Sequence, residues 1–154
     1  MAKKTLRVSK IKNGTVIDHI SGGYALDIIK ILGITGHKQG IMTIAMNVPS
    51  SKIGLKDMVK VEARELEPEE VDKIALLAPH ATINIIRAYK VVEKQTAKLP
   101  SIIHGIIKCA NPSCISNSTE PIQPTFHVEH EDPLRLKCHY CGHIMEKEEV
   151  LKQF

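Results

Sequence analysis

Aromatic side chains are scarce in this sequence: among 154 residues there is no tryptophan, and only three tyrosines and two phenylalanines. Proteins that hold single-stranded nucleic acid stack its bases on several aromatic faces, and this chain has few to offer. Long apolar runs are missing too. Nothing approaches the eighteen consecutive apolar residues of a membrane-spanning helix. Met1-Ala2-Lys3-Lys4 leads into a polar, alternating segment rather than the apolar core of a secretory signal. The expectation is a soluble, cytoplasmic protein with no membrane partner. No nucleophile stands beside a base in a pattern that suggests covalent or acid–base catalysis, so the chain reads as a non-enzyme.

Cysteine is limited to four residues, and their spacing is the most specific feature present. Cys109 and Cys114 stand as C-x4-C, and after 23 intervening residues Cys138 and Cys141 follow as C-x2-C. Each pair brackets a turn-forming segment, Ala110-Asn111-Pro112-Ser113 and His139-Tyr140, so a short loop can fold back and aim two sulfurs at one ion. Two such pairs match the tetrahedral thiolate shell of one structural zinc ion, closed to water and substrate. Two disulfides would require an oxidising compartment, and a redox C-x-x-C at Cys138 and Cys141 would leave the other pair unexplained. The spacing favours zinc over both. The nearby His104, His127, His130, His139 and His143 read as polar surface imidazoles.

With 43% hydrophobic content the chain can bury a real core, but the cysteine-rich end is too short to fold without metal. The formal net charge of +4 is unevenly spread. Residues 1–98 carry 16 Lys and Arg against 10 Asp and Glu, whereas residues 99–154 carry 5 against 7. A zinc module that grips nucleic acid should carry the basic footprint itself. The alternative of a zinc-ribbon protein that binds nucleic acid therefore has composition against it.

Along the chain, extended runs flank Asn13-Gly14, from Leu6 to Ile11 on one side and from Thr15 to Ile20 on the other. Both turn residues tolerate positive φ, so this reads as a β-hairpin. After Ser21-Gly22-Gly23, the residues Ala25, Ile28, Ile29 and Leu32 recur at helical spacing, with Gly33 as a stop. The run from Ile41 to Val48 reads as a strand. Met58 to Glu62 alternates, placing Val59 and Val61 on the core side and Lys60 opposite. Pro68 and its acidic neighbours open a second helix with Val71, Ile74, Ala75 and Ala78 as its buried stripe. Strands follow from Ala81 to Arg87 and from Tyr89 to Lys94.

This order predicts an α+β chain. Residues 1–97 form a ferredoxin-like antiparallel sheet with two helices, residues 98–101 a linker within the polar stretch from Gln95 to Ser101, and residues 102–154 an all-β zinc ribbon of rubredoxin-like type. In the ribbon, Ile102 to Lys108 delivers Cys109, and Leu134 to Lys137 delivers Cys138.

Several stretches combine into a resemblance. They are Gly14-Thr15-Val16-Ile17-Asp18-His19-Ile20, Asn47-Val48-Pro49-Ser50, Lys56-Asp57, Lys60-Val61-Glu62, Ala78-Pro79, Ala81-Thr82-Ile83-Asn84 and the two cysteine pairs. In that order and spacing, over essentially the full length, the sequence closely resembles the regulatory chain of aspartate carbamoyltransferase. The resemblance implies a non-catalytic subunit that binds nucleoside triphosphates in its N-terminal domain, CTP and ATP with UTP as a third candidate. It further implies docking on the catalytic chain through the zinc domain, pairing of two regulatory chains, and control of the first committed step of pyrimidine biosynthesis.

Carried over residue by residue, the resemblance places Asp18 and His19 near ribose and phosphates, and assigns phosphate and base contacts to Lys60 and Lys94. It puts Asn84 in the same pocket, and sets Ile11, Val16, Ile86, Tyr89 and Val91 around the base. Ordinary strand alternation would send Asp18 and His19 to opposite faces. The chain departs from the best-known members at Thr5 and Ser9, on the pocket's N-terminal edge, and at Ser113 and Gly142 in the knuckles, where Asn111 and Tyr140 match residues near the catalytic-chain contact.

Overall fold

The computed structural model describes residues 10–34 and 40–154. Its first sheet has five antiparallel strands: β1 (Gly14–Ser21), β2 (Met42–Ser50), β3 (Gly54–Glu62), β4 (Thr82–Arg87) and β5 (Lys90–Thr96), in spatial order β2-β3-β1-β4-β5. Helix α1 (Ala25–Ile31) lies between β1 and β2 in the chain, and α2 (Pro68–Leu77) between β3 and β4. This is the split βαβ order of the ferredoxin-like arrangement, extended by one edge strand. A second antiparallel sheet contains β6 (Ile102–His104), β7 (Thr125–His130), β8 (Arg135–Cys138) and β9 (Ile144–Glu146) in sequential order, followed by α3 (Lys147–Leu151). The chain is α+β, as expected, and the cysteine-bearing sheet has the zinc-ribbon layout. Strand β9, helix α3 and a 3-10 turn at Ile115–Asn117 are additions that periodicity did not reveal, each being only three to five residues long.

Packing groups β1 to β5 into one unit, and α1 from Asp27 onward, α2 and the chain from Ala97 into another. Within the second unit Lys147 of α3 makes an ion pair with Asp27 of α1 at 3.4 Å. The Lys73 ammonium of α2 stands 5.6 Å from the centre of the Phe154 ring. The polar stretch from Gln95 to Ser101 is not uniformly irregular, because β5 continues through Thr96 and Ala97 is fully buried. The strand expected from Ile102 to Lys108 stops at His104, where Gly105 takes φ +70°.

Asn13-Gly14 does not make a hairpin turn. Over Gly14 to Ile17 one edge of β1 pairs with β3, from Glu62 to Val59, and the other pairs with β4 from Ile86 to Ile83. No edge is left for a preceding strand at that position. Residues 1–9, which include most of the expected first arm and the departures Thr5 and Ser9, lie outside the described residues. Gly14 is instead required by close approach: a Cβ there would stand 2.1 Å from the Val61 carbonyl oxygen, at φ +145°. Asn13 serves two other elements. Its carbonyl accepts the Ala63 N–H at 2.9 Å, and its side-chain oxygen accepts the Ala88 N–H at 3.2 Å.

Two bulges shape the sheet around one carboxylate. The β2–β3 register shifts between Ala45 and Val48, with Asn47 at φ 57°. Asp57 of β3 is fully buried and accepts the N–H groups of Asn47 at 2.8 Å, Gly23 at 2.9 Å and Ala25 at 2.8 Å. It thus ties the bulge of β2 and the first turn of α1 to β3. The second bulge lies in β1, between Ile17 and Ile20, with His19 at φ 56°. Asp57→Ala leaves three backbone donors without their acceptor, at about 1–3 kcal/mol for each that stays buried and unsatisfied. The expected outcome is a fall in Tm of several degrees or more in a thermal melt; an unchanged Tm would remove Asp57 from this role.

Candidate functional site

The four thiols converge as their spacing predicts. Asn111 shapes the first knuckle: its side-chain oxygen accepts the Ser113 N–H at 3.0 Å and its carbonyl accepts the Cys114 N–H at 3.0 Å. The Asn117 side-chain amide ties the loop from behind, donating to the carbonyls of Cys109 and Asn111, both at 2.8 Å. In the second knuckle Gly142, at φ +74°, donates to the Cys138 carbonyl at 3.0 Å while the Cys138 N–H reaches His143 at 2.9 Å. Sulfurs of Cys109 and Cys141 lie 3.6 Å apart, as do those of Cys114 and Cys138, and all four fall within 4.8 Å of one another.

A disulfide would need about 2.05 Å, so the cysteines are free thiols. A tetrahedral ion with metal–sulfur bonds of about 2.3 Å has sulfur–sulfur edges of about 3.8 Å, which the two 3.6 Å pairs approach. The residues fit a metal ion. Cys109, Cys114 and Cys138 are buried and Cys141 is exposed. Burial pushes the Cys109 and Cys138 thiols up, whereas the His143 backbone N–H lowers Cys141 to about 6. Ser116, 3.1 Å from the Cys114 sulfur, and Asn117 support the shell without ligating it. Sequence reasoning missed both, because a lone Ser or Asn in a loop carries no spacing signal.

In the five-stranded sheet an open cavity of about 460 Å³ is lined by Lys10, Ile11, Val16, Asp18, His19, Met58, Lys60, Thr82, Asn84, Ile86, Tyr89, Val91 and Lys94. All ten residues singled out by the resemblance line it. Lys10, Met58 and Thr82 join them. On β3 and β4 simple alternation explains the lining: Met58 and Lys60, and Thr82, Asn84 and Ile86, face the cavity, while Val59, Val61, Ile83 and Ile85 are buried. On β1 and β5 alternation fails. The bulge in β1 buries both Ile17 and Ile20, three residues apart, and brings Asp18 and His19 to the same cavity. The expectation that they face opposite ways is thereby corrected. In β5 a register shift at Ile85/Ile86 lets Val91 and Lys94 share the lining.

One rung of the sheet crosses the cavity. Lys60 pairs with Val16, Val16 with Asn84, and Asn84 with Lys94. At strand spacings of about 4.8 Å, the two lysine backbones stand roughly 14 Å apart, at opposite ends of four strands. The next rung pairs Asp18 with Thr82. Asp18 accepts the His19 N–H at 2.7 Å and forms an ion pair with Lys56 at 3.0 Å, which offsets its charge. His19 Nδ1 lies 3.1 Å from the Thr82 hydroxyl, fixing the ring. Burial lowers the Lys60 pKa, and Asp18 acts in the opposite direction.

The hairpin between β4 and β5 turns through Ala88 and Tyr89, at φ 50° and 64°. This is a primed turn built without Asn or Gly, braced by the Tyr89 N–H on the Lys12 carbonyl at 2.9 Å. It sets Tyr89 at the rim. With Lys10, Lys60 and Lys94 lining it and Asp18, the one carboxylate among its described lining residues, already paired, the cavity suits an anionic ligand.

Residues 6–98 match the family described as aspartate carbamoyltransferase regulatory chain, allosteric domain, and residues 101–151 match aspartate carbamoyltransferase regulatory chain, metal binding domain. The chain is 50% identical to the aspartate carbamoyltransferase regulatory chain of Korarchaeum cryptofilum over 152 residues, covering 98% of this chain and 97% of that protein. It is 55% identical to that of Pyrococcus furiosus over 147 residues, covering 95% and 96%, and 53% identical to that of Hyperthermus butylicus over 149 residues, covering 96% and 93%.

Metal loading of the thiols should release protons, since burial holds Cys109 and Cys138 in their thiol forms. Apparent metal affinity is expected to rise with pH, by up to about tenfold per unit for each proton released, in competition titrations with a coloured chelator between pH 6 and 8. A flat profile would contradict the protonation assignment. Stripping the metal removes binding energy of about 10–16 kcal/mol in comparable small sites. The amide NMR signals of β6 to β9 should then collapse, whereas a ribbon that keeps its dispersed signals would not depend on metal for its fold.

Proposed function

This chain belongs to the family of aspartate carbamoyltransferase regulatory chains, and from that premise we propose that its sheet cavity binds nucleoside triphosphates, CTP and ATP with UTP as a third ligand. The chain is a non-catalytic subunit. The observation that carries the nucleotide reading is the rung Lys60–Val16–Asn84–Lys94, which sets a cation at each end of a groove with Asn84 between them. Lysine ammonium groups attract phosphate charge without reading the base. The backbone and side chains of Ile11, Val16, Ile86, Tyr89 and Val91 form the base-facing part, and Asp18 and His19 lie toward ribose and phosphates.

In this reading residues 1–97 are the effector domain, 98–101 the linker and 102–154 the domain that docks on the catalytic chain. Two regulatory chains pair, and the assembly works in the cytoplasm on the first committed step of pyrimidine biosynthesis. One zinc ion per chain fills the thiolate shell, where a closed tetrahedron gives it a structural part only. A nucleotide acts by binding two quaternary states with different affinity, a coupling of about 1–3 kcal/mol in typical allosteric proteins. Activator and inhibitor can share the cavity and favour opposite states.

Isothermal titration of the metal-loaded protein with ATP and with CTP tests the cavity. Saturable binding is expected, weakened in Lys60→Ala and Lys94→Ala with metal content unchanged. Each substitution removes a charge-assisted contact worth about 1.5–3 kcal/mol, or roughly tenfold to a hundredfold in Kd. A folded protein that binds neither nucleotide but binds RNA or DNA in a salt-sensitive way would overturn the proposal.

A further inference from the structure

We infer that Lys10 selects among nucleotides in the sheet cavity, an inference that rests on the nucleotide reading above: its ammonium donates to a carbonyl oxygen of the base and so favours CTP and UTP over ATP. Lys10 lines the cavity but is not among the residues to which the resemblance gives a role. The register orders the lining along the strands. One rung pairs Asp18 with Thr82, the next sets Val16 and Asn84 between Lys60 and Lys94, and a third pairs Gly14 with Ile86 and Ile86 with Val91. At about 3.4 Å per residue, the first and third of these rungs stand roughly 14 Å apart. Polar groups, Asp18, His19 and Thr82, gather at the first end, whereas Ile86 and Val91 make the third end apolar.

Traced backwards from Gly14, the chain continues past the apolar end. The Lys12 carbonyl accepts the Tyr89 N–H at 2.9 Å, and the Ile11 side chain is buried. Lys10 comes next, so its backbone is anchored close to Tyr89 and it is the one charged group at that end among the described lining residues. No carboxylate among the described residues pairs with it, whereas Asp18 is held by Lys56. The middle rung already supplies two lysines for phosphate charge. A flat base seated on Ile86 and Val91 leaves its edge to be satisfied, and a lysine there offers three N–H donors and no acceptor. Cytosine and uracil present carbonyl oxygens to such a donor. Adenine has none, and its amino group is itself a donor. A charge-assisted bond to a carbonyl oxygen is about twice as strong as a neutral one, so the ammonium discriminates between the two kinds of base.

The test is isothermal titration of the full, metal-loaded chain with CTP, UTP, CDP and ATP, in the parent protein and in Lys10→Met, which keeps an unbranched stem and removes the donor. Lys10 is exposed, so the variant should keep its thermal melt and metal content. The expected result is a loss of roughly tenfold or more in affinity for CTP and UTP, the scale of one charge-assisted hydrogen bond, with ATP affinity unchanged. CDP should lose the same factor as CTP, because the contact is to the base. Equal losses for CTP and ATP, or a loss for CTP that CDP does not share, would make Lys10 a phosphate contact and overturn the inference. Unchanged affinity for all four ligands would overturn it too. Each of these outcomes leaves the nucleotide reading standing; a parent protein that binds no nucleotide would instead fail that reading, and this inference with it.

Discussion

The central strand β1 is the constraint on which the five-stranded sheet and its cavity depend. Both of its edges are taken, by β3 and β4, so its register is fixed from two sides and any shift would break two ladders at once. Within that fixed frame the bulge before Ile20 lets one strand serve two purposes. Ile17 and Ile20 remain fully buried, and the two residues between them reach the cavity. Asp18 and His19 are then held by Lys56 and Thr82 rather than left to find their own rotamers. The floor of the cavity is therefore as rigid as the sheet, while two of its three lysines, Lys60 and Lys94, stand at the two ends of a rung.

The C-terminal half is organised around sulfur. Its buried apolar side chains are few, chiefly Ile103, Phe126, Leu136, Met145 and Val150, and three of the four cysteines are buried among such small resources. In a segment this short a metal ion takes over much of what a larger core would do. The amide groups of Asn117 and Gln153 extend this economy to the backbone: Gln153 both accepts the Lys108 N–H at 2.8 Å and donates to the Lys108 carbonyl at 2.6 Å, pinning the chain end beside the first knuckle.

Much of this was legible in the residues. Apolar periodicity located α1, α2, β2, β3 and β4 to within a few residues, and cysteine spacing alone brought the four thiols together. What was not legible has a common cause. Asn13-Gly14 carries the strongest hairpin cue in the chain, yet Gly14 is there because the β3 backbone passes too close for a side chain. The hairpin turn between β4 and β5 uses Ala88 and Tyr89, which carry no such cue. The bulge at Asn47 likewise depends on Asp57 of the neighbouring strand, and His19 in the other bulge on Thr82, 63 residues away. The individual cavity residues came from the family resemblance, since a lysine or asparagine in a strand is by itself an ordinary solvated side chain. Their convergence is a property of register, which no single strand contains.

The central claim is that a nucleotide held between Lys60 and Lys94 controls a catalytic partner through this chain. Its most direct test is the aspartate saturation curve of the purified catalytic chain, measured alone and in isolated complex with this chain, with and without CTP or ATP. The account predicts that nucleotide shifts half-saturation only in the complex, and that the Lys60→Ala Lys94→Ala double variant assembles but loses the shift. An equal shift without this chain, or none in a complex shown to bind the nucleotide, would contradict it.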